Sequence, residues 1–190
     1  MVDGVTCNRI ARVDATDGSV DATFDTDPGA NGIVRCVLVQ TDGQILIGGD
    51  FTSVNGVARN RLARVSTLGV TDAGFNPNAD GVVRCLGLRA DGEIMVGGDF
   101  ANIGGGAKPY LAQLNVDGTL DTGFTSEVGT VSSPGRVNGI QMLQDGDMYI
   151  VGDWSDTSNT TTTTTSTTTS TTTTTSTTTP PPPTTPPPTT

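Results

Sequence analysis

The sequence predicts an all-β fold made of repeated units, followed by an extended tail that has no hydrophobic core. Glycine occurs 25 times, whereas aromatic residues make up only 4% of the chain. This composition favours short strands and tight turns over helices. One pattern around an Asp-Gly pair occurs three times, and from residue 160 onward the chain contains only Thr, Ser and Pro. No segment shows the sustained apolar stripe of an amphipathic helix.

The clearest repeat consists of an apolar run, an Asp-Gly pair and a second apolar run. The segment Thr41–Phe51 (TDGQILIGGDF) recurs as Ala90–Phe100 (ADGEIMVGGDF) and as Gln144–Trp154 (QDGDMYIVGDW). The apolar runs that precede these segments are Val34–Val39, Val83–Leu88 and Val137–Met142. Because Asp and Gly supply the backbone angles of a tight turn, each pair of runs predicts a β-hairpin.

Each predicted hairpin is one half of the repeat unit, and another half-unit precedes it. Its apolar runs are Asn8–Val13, Asn60–Val65 and Pro109–Leu114. An aspartate and a phenylalanine close each half-unit, namely Asp21 and Phe24, Asp72 and Phe75, and Asp121 and Phe124. The recurring aspartate is predicted to cap a turn. A unit with both halves spans roughly 50 residues and holds about four strands, which is the content of one β-propeller blade.

These repeated residues, from about Val2 to Trp154, closely resemble the delta-60 repeat family. The shared pattern is Ala-Arg-Val, Asp-Gly, Asp-x-x-Phe, and then Asp-Gly-x-Ile-x-Val-Gly-Gly-Asp-Phe. The resemblance implies a β-propeller, commonly of about seven blades, in bacterial surface and secreted proteins or in phage structural proteins. The family brings no established catalytic residues to this sequence.

The number of units raises the question of what covers the ends of the repeat. Three units are too few for a closed ring, which takes about four to eight blades. We therefore expect an incomplete ring, or a ring that neighbouring subunits complete. The N-terminal half-unit of one subunit would dock beside the C-terminal hairpin of another, giving a closed oligomer or a head-to-tail fibre. A truncated longer protein and an unusually compact monomer are the alternatives.

Composition argues against several kinds of function. The net charge of -10 disfavours nucleic acid as a partner, because binding to phosphates needs a basic face. The chain has no histidine, which excludes a His-dependent catalytic triad and a His zinc site. Three cysteines without a CxxC pair do not suggest a disulfide framework. No apolar segment has the length of a membrane span, and no signal-peptide pattern follows Met1. We expect no enzyme activity, no cofactor and no membrane insertion.

Two groups of residues are weak candidates for chemistry. Asp14, Asp17 and Asp21 are closely spaced, as in a calcium site, but the full loop pattern is missing, so turn capping is favoured and no metal is expected. Arg35-Cys36 recurs as Arg84-Cys85, which would suit a redox or anion site. The favoured interpretation is a buried small residue beside an arginine that pairs with a carboxylate of the repeat.

The tail has the composition of a stalk. Residues 1–156 are predicted to form the repeat domain and residues 157–190 a Thr/Ser/Pro-rich segment, whose polyproline stretch favours an extended chain. Such tracts are typical of O-glycosylated stalks, and Asn159 begins an N-glycosylation pattern. The candidate glycosylation sites are Asn159, Thr160, Thr161, Thr162, Thr163, Thr164, Thr165, Ser166, Thr167, Thr184 and Thr185. An unmodified flexible linker is the alternative.

These features together predict an extracellular structural protein. It would be a self-assembling subunit of a fibre, a surface layer or a virion appendage, joined by strand-edge complementation and carrying a glycosylated stalk. The alternative is an adhesin-type binding module that recognises a glycan or a protein and is displayed on the stalk. A glycosidase with a carboxylate pair is a third option, although no acidic residues clearly interrupt the repeat.

Overall fold

The computed structural model describes residues 8–24, 27–126, 128 and 135–153. Its strands are β1 Val34–Val39, β2 Ile45–Gly49, β3 Ser53–Val54, β4 Val57–Ala58, β5 Leu62–Val65, β6 Val83–Leu88, β7 Ile94–Gly98, β8 Asn102–Ile103, β9 Gly106–Ala107, β10 Leu111–Leu114, β11 Arg136–Met142 and β12 Met148–Asp153. The all-β prediction is confirmed. No helix in the described part of the chain is long and apolar enough to cross a membrane.

Each sheet takes its strands from two successive units. The first sheet has the order β1-β2-β5 and the second the order β6-β7-β10, and all neighbours are antiparallel. The predicted hairpin of one unit therefore pairs with the apolar run of the next half-unit. The expected fourth strand of each sheet is reduced to one bridge, between Val65 and Thr71 in the first and between Leu114 and Leu120 in the second. The third unit contributes the hairpin β11-β12.

The units stack in sequence, and the described residues form three separate core clusters. One cluster lies between the N-terminal half-unit and the first sheet, and it contains Phe24, Ile47 and Phe51. The central cluster joins Leu46 of the first sheet to the second sheet, and the third joins Met95 to β11 and β12. The first strand of each hairpin (β1, β6 or β11) is the inner strand of its unit, and β6 contacts both β1 and β11. This arrangement of stacked β-propeller-like units does not close into a ring within the described residues.

The N-terminal half-unit shares one uncommon backbone angle with its counterparts. The second residue of each apolar run has a positive φ, which is 69° at Arg9, 61° at Arg61 and 65° at Tyr110. Such angles are uncommon for residues other than glycine, so their recurrence at one repeat position identifies equivalent turns. The segment that begins at Asn8 is therefore the counterpart, within the repeat, of the segments that lead into β5 and β10.

Glycines in the second strand of each sheet let the next unit approach closely. A Cβ added to Gly48 would lie 2.5 Å from Cγ1 of Val83 and 2.6 Å from Sγ of Cys36. A Cβ on Gly97 would lie 2.5 Å from Sγ of Cys85 and 2.7 Å from Cγ1 of Val137. Close packing between units at this repeat position therefore requires glycine. The predicted boundary between the domain and the stalk lies outside the described residues.

Candidate functional site

The N-terminal end of the repeat is only partly covered. The half-unit of residues 8–24 buries one side of the first sheet, but Val37 and Val39 on the inner strand β1 each remain 60% exposed. The equivalent residues of the second sheet, Leu86 and Leu88, pack into the central core cluster. Val37 and Val39 therefore occupy the repeat positions that form a unit-to-unit interface at the second sheet, and the described residues leave them largely exposed.

A cleft of about 470 Å³ lies beside β1 at this end. Its apolar lining includes Ile10, Phe24, Val37 and Val39. Its basic lining comes from Arg9, Arg12 and Arg35. Within the chain, the same position before β6 holds Leu38 and Leu46 of the preceding unit. At the repeat position that corresponds to this cleft, the hairpin of the preceding unit packs against the second sheet.

At the C-terminal end of the described repeat, one strand edge has no described partner and one sheet face is exposed. Whereas β2 and β7 each pair with strands on both edges, β12 pairs only with β11 among the described strands. Met148 and Ile150 on β12 are buried against the second sheet. The alternate residues, Tyr149 and Val151, point to the opposite face and are 49% and 57% exposed.

This exposed face differs from the internal interfaces at one cross-strand pair. In the first two units a cysteine on the inner strand lies opposite a glycine, as the pairs Cys36 with Gly48 and Cys85 with Gly97. In the third unit the pair is Gly139 with Val151, so the larger residue has moved to the second strand. A Cβ on Gly139 would lie 2.8 Å from Cγ2 of Val151, so the valine side chain extends over this glycine.

Ion pairs hold each hairpin together at one end. Arg35 binds both carboxylate oxygens of Asp50 at 2.7 Å, and Arg84 binds both oxygens of Asp99 at 2.6 and 2.7 Å. A β-bulge at each arginine turns its side chain toward the aspartate of the neighbouring strand. The hydrogen bonds from Arg35 lower the pKa of Asp50. The predicted pairing of arginine with a repeat carboxylate is confirmed.

A second arginine links successive half-units. Arg12 binds Asp21 and donates to the carbonyl of Thr67 in the next half-unit at 2.7 Å. Arg64 likewise binds Asp72 and donates to the carbonyl of Val116. In the third half-unit the equivalent residue is Gln113, which binds Asp121 and Glu93 of its own sheet. The arginine is thus present in the two half-units that have a described successor.

The two described cysteines are core residues. Cys36 and Cys85 are free thiols that pack between units. Burial raises the pKa of each thiol to about 12. Both thiols are therefore protonated at neutral pH, which opposes the redox function considered above, because the thiolate is the reactive form.

The acidic candidates for a metal site act as turn caps. Asp14, Asp17 and Asp21 accept backbone N–H groups of Thr16, Ser19 and Thr23, respectively. Hydrogen bonds from Thr23 and then from Arg12 lower the pKa of Asp21 to about 2. No group of three or more possible metal ligands occurs in the part of the chain that the structure describes. The predicted glycosylation sites, from Asn159 to Thr185, lie outside that part.

Sequence reasoning did not single out the residues that form the two open ends. Val37 and Val39 alternate with core positions and look like ordinary interface residues, and Tyr149 occupies an ordinary strand position of the repeat. The available signal was the difference between units, because Val151 stands where the other units have Gly48 and Gly97.

The repeated hairpins, their shared sheets and the stacked cores define the protein as a β-propeller-type repeat protein. The model of a family described as a domain of unknown function (DUF5122) beta-propeller matches residues 1–24, 40–75 and 89–124. These segments make up about half of the chain, and the chain belongs to this family. Comparisons with curated proteins and with solved structures gave no match. The match supports the β-propeller repeats that the resemblance implied, while the delta-60 name and the mucin-like tail stay predictions.

Proposed function

We propose that the protein is a structural building block that associates with copies of itself outside the cell, in a fibre, a surface layer or a virion appendage. One observation carries this proposal: the two open ends bear complementary parts of one unit. At the N-terminal end the half-unit of residues 8–24 stands before the first sheet, and no hairpin among the described residues precedes it. The C-terminal end has the hairpin β11-β12, and no third strand, equivalent to β5 or β10, pairs with β12 among the described residues.

The internal sheets supply a register for joining these parts. In the first sheet Ile45 lies opposite Val65, and Gly48 lies opposite Leu62. The second sheet repeats this register between β7 and β10. Applied to two copies, the same register places Met148 opposite Val13, and Tyr149 opposite Arg12. Because an unpaired strand edge is a template for another chain, the β12 edge favours this association.

The tail supports the extracellular part of the proposal. A tract of Thr, Ser and Pro has no apolar side chains with which to form a core, and dense O-glycosylation is the usual fate of such a composition outside the cell. Under this proposal the tail is a spacer or coat that projects from the assembled repeat domains.

Electron microscopy of the natively purified full chain, combined with intact-mass measurement, tests this function. Regular filaments or layers with mass in excess of 19.4 kDa per chain are expected. Monomeric particles at the bare mass, over a wide range of protein concentration, would rule out both the assembly and the glycosylated tail.

The competing function is an adhesin-type module that binds a glycan or a protein. The observation that favours it is the cleft beside β1, because its volume of about 470 Å³ and its mixture of apolar and arginine side chains suit a ligand. Binding of the full chain to a panel of anionic and neutral glycans tests this alternative. Selective binding that Val39→Asp removes, in a protein that stays monomeric, would favour the adhesin.

A further inference from the structure

We propose that the cleft beside β1 of one copy binds the side chains of Tyr149 and Val151 of a second copy. This inference rests on the proposed self-association and specifies the residues that meet. It also implies that the joint between copies is packed with different side chains from the joints within a chain.

The repeat itself places Tyr149 at the cleft. The equivalent residues, Leu46 and Met95, pack against the next unit in the central and third core clusters. Leu46 lies in one cluster with Leu62, Leu86 and Leu88. At the joint between copies, the counterparts of those three leucines are Ile10, Val37 and Val39. All three line the cleft.

The chemistry of the cleft suits a tyrosine. An aromatic ring buries apolar surface against the valines, and its hydroxyl accepts a hydrogen bond from a guanidinium group. The protein already uses contacts between arginine and aromatic rings, with Arg64 4.6 Å from the ring centre of Phe75 and Arg12 5.7 Å from that of Phe24. Arg12 also lines the cleft and would contact a second ring there.

Val151 excludes the packing used inside the chain. Within the chain, Cγ1 of Val83 in the next unit lies only 2.5 Å from the position that a Cβ on Gly48 would take. Val34 is the counterpart of Val83 in a second copy, so it cannot lie over Val151 in that position. The face of the second copy's first sheet must therefore pack farther from the face of the β11-β12 hairpin than an internal sheet does, while the β12 edge keeps its strand pairing. The tyrosine ring, larger than Leu46 or Met95, fills part of that added space.

Two single variants of the full chain test the proposal, one for each end. Tyr149→Ala alters the C-terminal end and Val39→Asp alters the cleft, while Leu68→Ala is a matched control with a 56% exposed side chain in a turn. Sedimentation velocity over a concentration series measures association. We expect each end variant to weaken association roughly tenfold or more, as loss of a central anchor residue does, and the control to leave association unchanged.

Mixing the two end variants tests the direction of the contact. The Tyr149→Ala protein keeps an intact cleft and the Val39→Asp protein keeps Tyr149, so together they form one intact joint. A head-to-tail contact predicts one-to-one dimers that do not grow further, because both remaining ends are altered. Thermal unfolding of each variant checks that its fold is unchanged, as the exposure of both side chains predicts.

The outcomes separate this inference from the proposed function. If the wild-type chain associates but the Tyr149→Ala protein associates equally well, or the mixture forms no dimers, the tyrosine contact is overturned and self-association stands. If the wild-type chain is monomeric at every concentration, both proposals are overturned.

Discussion

Single side chains decide how closely neighbouring units approach. Gly48 and Gly97 have no side chain, so a valine of the next unit packs directly over each of them. The cysteine opposite each glycine supplies a small apolar group at the same contact. The interface therefore depends on a matched pair of residue sizes, and adding or removing one methyl group there is expected to change the stability of the protein.

Gly48→Ala is expected to destabilise the protein by overpacking the central core. The added methyl group would contact Val83 and Cys36 at distances that atoms do not tolerate. Strain of this kind typically costs about 1–3 kcal/mol, which urea unfolding followed by circular dichroism will measure. Gly74→Ala is the control, because its new methyl group would meet only Asp72 Oδ1, at 3.4 Å. Equal unfolding midpoints for Gly48→Ala and the wild-type chain would contradict the close packing.

Cys36 and Cys85 are expected to resist thiol reagents in the folded protein. Burial raises the pKa of both thiols from 9.0 to about 12, so the reactive thiolate is scarce at pH 8. Both thiols should react with a chromogenic disulfide reagent in urea and only slowly without it, in a Cys7→Ser background. Because only the unfolded state ionises these thiols near pH 9, the free energy of unfolding should fall as pH rises from about 9 toward 12. Fast labelling of a folded sample at pH 8 would refute this burial.

At the scale of the strand and the half-unit, repetition made most of the fold predictable. The Asp-Gly pairs identified the hairpins, and the recurring apolar runs identified β5 and β10. The two-residue strands β3, β4, β8 and β9 were not predicted, because such short pairs carry no periodicity. The fourth strand is only a bridge, since the turns at residues 66–70 and 115–119 bring just one residue back to the sheet.

Arg64 is expected to be the most important link between half-units. It binds Asp72, donates to the carbonyl of Val116 and lies over the ring of Phe75, with only 11% of its side chain exposed. Arg64→Gln, which copies the natural residue at position 113, should cost about 1–3 kcal/mol in urea unfolding. Arg89→Gln is the control and should cost less than about 0.5 kcal/mol, because its carboxylate contacts are longer and more exposed. Equal costs for the two variants would contradict the linking role.

The candidate site was less predictable than the fold for a physical reason. Alternation along a strand shows which residues share a face, but only the stacking order shows whether another unit covers that face. Val37 and Leu86 occupy the same repeat position, yet the first is exposed and the second packs into a core. The sequence shows that Val151 stands where the other units have glycine. The effect of this valine on packing between units, however, is evident only from the close contact between Gly48 and Val83.

At the scale of the whole molecule, the acidic turns link stability to pH. Asp14, Asp17 and Asp117 accept hydrogen bonds from the residue two positions on, and these bonds lower their pKa values. A carboxylate with a lowered pKa in the folded state stabilises the protein above its unfolded pKa. That stability is lost as pH falls through the folded pKa.

The free energy of unfolding is therefore expected to fall as pH decreases from about 4 to about 2. Urea unfolding at pH 7, 4 and 2.5 measures this dependence. Asp21→Asn should weaken it, because the pKa of Asp21 falls furthest, to about 2. A stability that is constant down to pH 2.5 would contradict the assigned hydrogen bonds.

The separation of the core into three clusters has a thermodynamic consequence. Each cluster joins only adjacent units. The free energy of folding is therefore a sum of terms for single units and for the interfaces between neighbouring units, as in a one-dimensional array. Fraying should begin at either terminus while the middle sheets persist, so amide hydrogen exchange should be slowest in β2 and β7. Docking of another chain would add one coupling and make the melting temperature rise with protein concentration.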